Sequence, residues 1–145
     1  MRAVIQRVNE ASVSVDDKLI SHIDKGLLIF IGFKFDDKVE SFDKFIDKIV
    51  NLRIFEDANN KMNLSLKDVC GSVLLISQFT LYADTKKGYR PSFTSAMSYD
   101  DANVLYDIFI EKFKEKYDNI KTGIFGSDMK VGLINDGPVT IIMEE

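Results

Sequence analysis

The chain has 145 residues, of which 46% are hydrophobic and 29% charged, a composition typical of a folded domain and not of a disordered chain. Its net charge of −4 argues against a protein that coats nucleic acid, because such coating needs many phosphate contacts from Lys and Arg. No apolar run approaches the roughly 20 residues that cross a bilayer, and no apolar signal core opens the chain. We therefore expect a cytoplasmic protein without membrane contact.

The N-terminal part alternates between apolar and polar residues, which predicts short β-strands. We expect strands over residues 2–9, 11–15, 19–24 and 27–33, connected by turns and most naturally arranged as an antiparallel meander. The last of these strands is apolar throughout, so it should be buried.

Apolar residues spaced three and four apart predict two helices, over about residues 36–53 and 100–117, the second with Ser98 or Asp100 as its N-cap. Between the helices, residues 71–82 form a predicted central strand that is covered on both faces. Three strands end the chain, over about residues 120–125, 129–135 and 139–143.

These elements predict one α+β domain over residues 1–145, in which two helices pack on a curved, mainly antiparallel sheet that closes into a barrel-like form. The chain has one cysteine, Cys70, and one histidine, His22. No internal disulfide can form, which fits a reducing compartment, and a His/Cys metal site is nearly excluded. We expect no metal and no cofactor. A Cys70/His22 nucleophile pair stays open, although a small structural cysteine and a satisfied or exposed histidine are the commoner outcomes.

Two polar segments fit poorly into a plain core. Ser77-Gln78-Phe79-Thr80 directly follows the apolar strand, where hydroxyls and free backbone N–H groups can face a carbonyl oxygen, as an ester-cleaving site requires. The alternative is a strand that leaves the core while its hydroxyls bond to local backbone. Asn135-Asp136-Gly137-Pro138 indicates either a hairpin tip or a Gly-Pro bond that presents two carbonyls rigidly. The Gly-x-Ser-x-Gly elbow, the phosphate loop and other common enzyme motifs are missing.

Together, Ser77-Gln78-Phe79-Thr80-Leu81 and Asn135-Asp136-Gly137-Pro138-Val139-Thr140 resemble the two signature motifs of the D-aminoacyl-tRNA deacylase family. Other segments resemble that family in the same order along the chain: residues 1–8, 26–28, 51–57, 61–65, 87–93 and 122–129. The resemblance covers essentially the whole chain, and both motifs in order with these flanks are highly specific.

The resemblance implies a homodimeric carboxylic ester hydrolase that cleaves D-aminoacyl-tRNA, and also glycyl-tRNA mischarged on tRNA(Ala), as part of translation quality control. It implies two sites at the dimer interface, each reached by the partner's Gly137-Pro138, whose cis bond presents carbonyls that leave no room for an L side chain. The implied partners are the acceptor end of aminoacyl-tRNA and a second copy of the chain. DNA is not expected as a partner.

The resemblance also assigns roles to the first motif. Backbone N–H groups of Phe79 and Thr80 would hold the ester carbonyl oxygen, and Ser77 and Gln78 would shape the pocket beneath the terminal adenosine. Two attacking groups stay open: the Thr80 hydroxyl, or a substrate-assisted reaction in which the ribose 2′-OH activates water or itself attacks. We favour the second, because no base adjoins Thr80 in the sequence and an unactivated hydroxyl is a weak nucleophile.

Further residues receive supporting roles from the resemblance. Phe125 and Met129 would line the adenosine pocket, unless they are ordinary core side chains. Arg7 would brace the Gly-Pro loop, unless it is an ordinary surface arginine of a strand. Lys86, Lys87 and Arg90 lie in one polar loop and would bind acceptor-stem phosphates without recognising the base sequence. The alternative is a charged loop that is only solvated.

The sequence leaves three alternative functions open. One is an editing enzyme for a differently mischarged tRNA, which Ser77-Gln78-Phe79-Thr80 disfavours. The second is a nucleic-acid-binding module without turnover, which the acidic net charge disfavours. The third is a subunit that serves only assembly, which two polar motifs with chemical content disfavour.

Overall fold

Eight strands and two helices make up the fold, as described by a computed structural model over Met1–Glu145. The strands are β1 (Arg2–Val15), β2 (Lys18–Ile23), β3 (Gly26–Gly32), β4 (Phe55–Glu56), β5 (Met62–Leu64), β6 (Ser72–Ser77), β7 (Ile120–Thr122) and β8 (Lys130–Glu144). The helices are α1 (Phe42–Val50) and α2 (Tyr99–Lys116), and two short 3₁₀ helices cover Val39–Ser41 and Phe79–Tyr82.

The main sheet has six strands in the order β2-β1-β3-β6-β7, with β8 also paired to β1. Strand β1 pairs antiparallel with β2, β3 and β8, whereas β6 pairs parallel with β3 and with β7. The parallel pairs arise because α1 lies between β3 and β6 in sequence, and α2 between β6 and β7, which allows crossover connections. The result is the predicted barrel-like α+β domain, with a mixed sheet in which antiparallel pairing is in the majority. The expected meander order is wrong, since β2 does not pair with β3.

Strand β1 runs without a break through residues where a turn was predicted. It changes partners along its length: Arg2 to Val8 pair with β3, and Ala11 to Val15 pair with β2. The predicted alternation is confirmed, because Ala3, Ile5 and Arg7 are buried on one face.

The hairpin tip that was one alternative for residues 135–138 is wrong, and so is the predicted break between two strands there. Strand β8 is continuous from Lys130 to Glu144, and β1 pairs with it on both sides of the expected tip. The register shifts opposite Arg7, so the Gly-Pro segment leaves the ladder as a bulge and does not reverse the chain.

Two other boundaries differ from the expected ones. Helix α1 begins at Phe42 and not near residue 36, because the 3₁₀ helix Val39–Ser41 precedes it. The central strand ends at Ser77, and after Gln78 the Phe79–Tyr82 helix begins. The second helix agrees with prediction, and the hydroxyl of its N-cap Ser98 accepts a hydrogen bond from the Asp101 N–H at 3.3 Å.

The helices and the sheet enclose the larger hydrophobic core, and a smaller apolar cluster lies on the other face of β6. Val73 and Leu75 point into the larger core, while Leu74 and Ile76 belong to the smaller one. Burial on both faces fixes β6 in the centre and so fixes the position of Ser77 at its end. Neither helix has the length and apolarity that crossing a bilayer would require.

Candidate active site

A cavity of about 620 Å³ opens where β6 ends. It lies between the Phe79–Tyr82 helix, the start of α2 and the segment before β8, and most of its wall is apolar. The walls consist of Ile31, Gly32, Phe33, Ile76, Ser77, Gln78, Phe79, Phe93, Ala96, Met97, Tyr99, Ala102, Phe125, Gly126, Ser127, Asp128, Met129 and Val131. An apolar cavity with a few polar groups at one end is the usual form of a small-molecule or cofactor site.

The polar end of this cavity is built by the residues that follow β6. The Gln78 N–H still donates to the Ile31 carbonyl at 2.7 Å, which continues the pairing with β3 by one residue. The first bond of the Phe79–Tyr82 helix runs from the Leu81 N–H to the Gln78 carbonyl at 3.3 Å. The N–H groups of Phe79 and Thr80 therefore precede the first helical bond and have no acceptor within the helix. They form a pair of adjacent donors, of which that of Phe79 belongs to a residue that lines the cavity.

Phe79 and Thr80 are exposed, whereas Ser77 and Gln78 are half-buried. Phe79 is 56% exposed and packs edge-on against Phe93, with ring centroids 5.1 Å apart. Gln78 Nε2 donates to Thr80 Oγ1 at 2.5 Å. The side-chain partner of the Thr80 hydroxyl is therefore a neutral amide, which cannot take up its proton.

The opposite wall is aromatic. Phe125 packs against Tyr99 and Tyr106, with centroid distances of 5.2 and 5.6 Å. Next to it, Gly126 has a φ of +73°, and a Cβ there would lie 2.2 Å from the Tyr99 hydroxyl oxygen. The close approach of Tyr99 thus depends on glycine at this position.

The Gly137-Pro138 peptide bond is cis, and both residues are exposed. The buried Arg7 side chain holds the segment from behind: its Nε donates to the Asp136 carbonyl at 2.9 Å and lies 3.2 Å from Asp136 Oδ2. Its Nη1 donates to the Ile54 carbonyl at 2.6 Å. Arg7 therefore couples the Gly-Pro bulge to the β4–β5 hairpin, and it is not the surface strand residue that was left as an alternative.

The basic loop, residues 84–92, is closed by a pair of backbone hydrogen bonds between Asp84 and Ser92, at 2.7 and 3.0 Å. Its three cations and the ring of Tyr89 are exposed. The chain continues from this loop to Phe93, which contacts Phe79. The loop is thus connected to the cavity through one aromatic pair.

The structure brings Ser77, Gln78, Phe79, Phe125 and Met129 together around the cavity. It does not place the other residues suggested by the sequence in the wall of the same chain's cavity, namely Thr80, Gly137, Pro138, Arg7, Lys86, Lys87 and Arg90.

Sequence reasoning missed Tyr99, Met97, Ala96 and Phe93. One signal existed for the last three: an aromatic and apolar segment that directly follows a cationic loop and ends at a helix N-cap. The His22 side chain is 44% exposed, with Nε2 4.0 Å from Glu10 Oε2, and Cys70 is exposed on a different turn.

Comparison with known proteins extends these observations over the whole chain. Residues 4–144 match the family model described as D-Tyr-tRNA(Tyr) deacylase. The chain is 52% identical over 145 residues to a D-aminoacyl-tRNA deacylase of Petrotoga mobilis, covering 99% of this chain and 97% of the relative. It is 53% identical over 144 residues to the enzyme of that name from Clostridium novyi, with the same coverage.

Two solved structures share the fold. One, described as c-Myc DNA Unwinding Element Binding Protein, is 40% identical with a TM-score of 0.95, covering 100% of this chain and 99% of that one. The other, described as a probable eukaryotic D-amino acid tRNA deacylase, has a TM-score of 0.85 at 18% identity, covering 98% of this chain and 97% of that one.

The fold, the cavity and the full-length similarity to named enzymes define the class of protein, which is a hydrolase. The chain belongs to the D-aminoacyl-tRNA deacylase family.

Proposed function

We propose that this protein hydrolyses the ester bond of D-aminoacyl-tRNA, rejects the L-aminoacyl ester, and serves in the cytoplasm as a proofreading enzyme of translation. The observation that carries the proposal is the pair of adjacent N–H groups of Phe79, which lines the apolar cavity, and of Thr80, which have no acceptor inside their own helix. Such donors stabilise the oxygen that becomes negative when an ester carbonyl is attacked.

The chemistry follows from what surrounds these donors. Water attacks the ester carbonyl carbon, and the carbonyl oxygen takes the negative charge between the N–H groups of Phe79 and Thr80. As the bond to the ribose 3′-oxygen breaks, the 2′-OH takes the proton of the attacking water and passes its own proton to that oxygen, and the products are tRNA and a free amino acid. The Thr80 hydroxyl is bonded to the Gln78 amide, so it has no base that would make it a nucleophile.

The proposed chirality rule depends on a second subunit. Gly137 and Pro138 are exposed and do not line the cavity of their own chain. The buried Arg7 holds the preceding carbonyl, so the loop is fixed in place although it faces solvent. In a homodimer, such a loop reaches the partner's cavity, and its carbonyls meet the α-carbon substituent of an L-amino acid. A glycyl ester carries no such substituent, so glycyl-tRNA(Ala) is also a substrate.

An apolar row on the sheet face opposite the helices supports the homodimer. In register, Val4 lies between Phe30 on β3 and Ile142 on β8. Ile142 is 66% exposed, and Phe30 and Val4 are half-buried. The row begins two residues from Gly32, which lines the cavity. A second copy that covers this row therefore comes close to the site.

Binding of tRNA is assigned to the basic loop. Lys86, Lys87 and Arg90 are exposed on one short loop, in a chain whose net charge is −4. Cations gathered in one place favour contact with the phosphates of one nucleic-acid end, whereas coating a long duplex needs many more. For that reason we do not extend the DNA binding in the name of one structural relative to this chain.

The test is release of amino acid from D-Tyr-tRNA and L-Tyr-tRNA in parallel, at enzyme concentrations well below substrate, with Gly-tRNA(Ala) as a third substrate. We expect turnover of the D ester and of the glycyl ester, and none of the L ester. Turnover of a small L-aminoacyl-tRNA alone would favour a different editing enzyme. Tight binding of tRNA without turnover would favour the non-catalytic module.

A further inference from the structure

The Phe79–Tyr82 helix carries the two proposed oxyanion donors on a single turn, which cannot hold its own orientation. Its N-terminal side is fixed by the Gln78 bond to Ile31. It also packs closely on Gly32, where a Cβ would lie 2.6 Å from the Gln78 carbonyl oxygen and 3.4 Å from Leu81 Cβ. The C-terminal side needs a separate anchor.

Arg2 supplies that anchor. Its Nη1 donates to the Leu81 carbonyl at 2.5 Å, and its guanidinium lies over the Tyr82 ring, 5.0 Å from the centroid. The two contacts use the two distinct properties of arginine, a directed donor and a flat cationic face. A cation at the carbonyl end of a helical turn is also electrostatically favourable.

The guanidinium is itself held in place by the end of β8. Arg2 Nε lies 2.6 Å from Glu144 Oε1, although the two are not aligned as a hydrogen bond and the Nε is buried. In register, Arg2 lies between Gly32 on β3 and Glu144 on β8. The side chain therefore joins β1 and β8 to one turn of helix.

We propose that Arg2 is a positioning residue for the deacylation reaction: by holding Leu81 and Tyr82, it keeps the N–H groups of Phe79 and Thr80 aimed at the ester oxygen. This inference rests on the proposed role of those two donors. Arg2 touches no reacting atom in this scheme. Because the donors act on the charged oxygen of the transition state, their misalignment lowers kcat and leaves KM unchanged.

The experiment compares Arg2→Ala and Arg2→Lys with the wild-type enzyme on D-Tyr-tRNA. We expect kcat to fall by about 10- to 100-fold, the scale of a small misplacement of catalytic groups, at unchanged KM. Lysine should restore little, since it keeps the charge but not the flat donor. Methylguanidinium added to Arg2→Ala should recover part of kcat. Arg53→Ala is the matched control, because Arg53 is an exposed arginine that bonds to the Asn63 carbonyl on the β4–β5 hairpin.

Full kcat in both Arg2 variants would overturn the inference. So would a loss that tracks only a lower melting temperature or a dissociated dimer, or an equal loss in Arg53→Ala. Should Arg2→Ala fail to fold, Glu144→Gln tests the same anchor, because it leaves Arg2 in place and removes the charge that orients it. Wild-type kcat in Glu144→Gln, together with wild-type kcat in Arg2→Lys, would also overturn it.

Amide NMR of enzyme labelled with ¹⁵N at Phe and Thr separates this inference from the donor assignment. An amide-linked D-tyrosyl-adenosine analogue should shift the Phe79 and Thr80 signals of wild-type enzyme, and Arg2→Ala should shift them without ligand. If the analogue moves neither signal while Arg2→Ala still lowers kcat and moves both, the donor assignment fails and the anchoring role stands. If the analogue moves both signals and Arg2→Ala does not, the anchoring role fails.

Discussion

At the scale of single residues, the Thr80 hydroxyl separates two mechanisms. Its partner is the Gln78 amide at 2.5 Å, whereas its backbone N–H is one of the two proposed oxyanion donors. We predict that Thr80→Ala keeps substantial activity, because alanine retains the N–H. Single-turnover release of D-tyrosine from D-Tyr-tRNA measures this directly.

A loss near 10⁴-fold, the scale of removing a main catalytic residue, would instead make Thr80 the nucleophile. Thr94→Ala is the matched control, since Thr94 is an exposed threonine close in sequence whose hydroxyl contacts Ser92. Equal modest effects in the two variants would show that the Thr80 hydroxyl has no special role.

A second residue-scale prediction concerns Gly137. Its φ is +127°, and a Cβ there would lie 3.0 Å from both Arg7 Nη2 and Val139 Cγ2. We predict that Gly137→Ala destabilises the fold by about 1–3 kcal/mol, the usual range for a strained backbone, and relaxes rejection of L-Tyr-tRNA. The measurements are thermal unfolding and the ratio of kcat/KM for the D and L esters.

The same strand offers a control for this prediction. Gly132→Ala places its Cβ 3.2 Å from Ser12 Oγ and has no positive φ. It should therefore leave the D/L ratio unchanged. An unchanged ratio in a well-folded Gly137→Ala enzyme would remove the Gly-Pro loop from chiral selection.

At the scale of elements, the basic loop is expected to act on binding and not on chemistry. Replacing Lys86, Lys87 and Arg90 by glutamine should raise KM for D-Tyr-tRNA and leave kcat nearly unchanged. The slope of log affinity against log salt should become shallower by about 0.7–0.9 for each lost phosphate contact. Filter binding of uncharged tRNA over a salt series measures that slope.

The control for the loop variant removes the same charge elsewhere. Lys18, Lys48 and Lys67 are exposed on three separate parts of the surface, and glutamine at these positions should leave the slope close to that of wild type. Equal slopes in the two triple variants would mean that net charge, and not the loop, governs tRNA binding.

A second element-scale prediction concerns the attachment of α2 to β6. The buried Tyr106 hydroxyl donates to the Leu75 carbonyl at 2.9 Å, two residues before Ser77. Burial raises the pKa of Tyr106 above its ordinary value. The unfolded chain loses this proton near pH 10, whereas the folded protein keeps it. The free energy of unfolding therefore falls as the pH rises above 10. We predict that Tyr106→Phe is less stable by about 1–3 kcal/mol at neutral pH and loses less stability than wild type between pH 10 and 11.

Urea unfolding at both pH values checks this prediction. The comparison of the two proteins isolates Tyr106, since the pKa values of Tyr82 and Tyr117 are raised by burial in both. A parallel decline of the two proteins would show that the Tyr106 hydroxyl is not shielded from water.

The elements also show how far the sequence alone could lead. Helix α2 and its cap at Ser98 were predictable, because periodicity and capping are local properties of the chain. The continuity of β8 through Gly137 and Pro138 was not, because it depends on β1 pairing with residues on both sides of a strong turn signal. For the site, Phe125 and Met129 followed from the family resemblance. Tyr99 did not, since its place against Gly126 is decided by tertiary packing.

At the scale of the whole molecule, the chain carries both a cavity and a Gly-Pro loop, but the loop does not line the cavity of its own chain. We predict that the loop acts on the partner's cavity. The test uses heterodimers with two different affinity tags, in which one subunit carries Gly137→Ala and the other Ala96→Trp. Ala96 lines the cavity, so tryptophan there should fill it, while the Gly-Pro loop of that subunit stays intact.

In this heterodimer, the only open cavity lies in the subunit with the altered loop, and the intact loop belongs to the other subunit. A loop that acts across the interface should restore rejection of L-Tyr-tRNA to this cavity, at about half the D-esterase activity of a wild-type dimer, because one of two equivalent sites remains. A loop that acts within its own chain would leave the heterodimer as permissive as the Gly137→Ala homodimer. The Ala96→Trp homodimer should be inactive on both esters, which confirms that the measured turnover comes from the single open cavity.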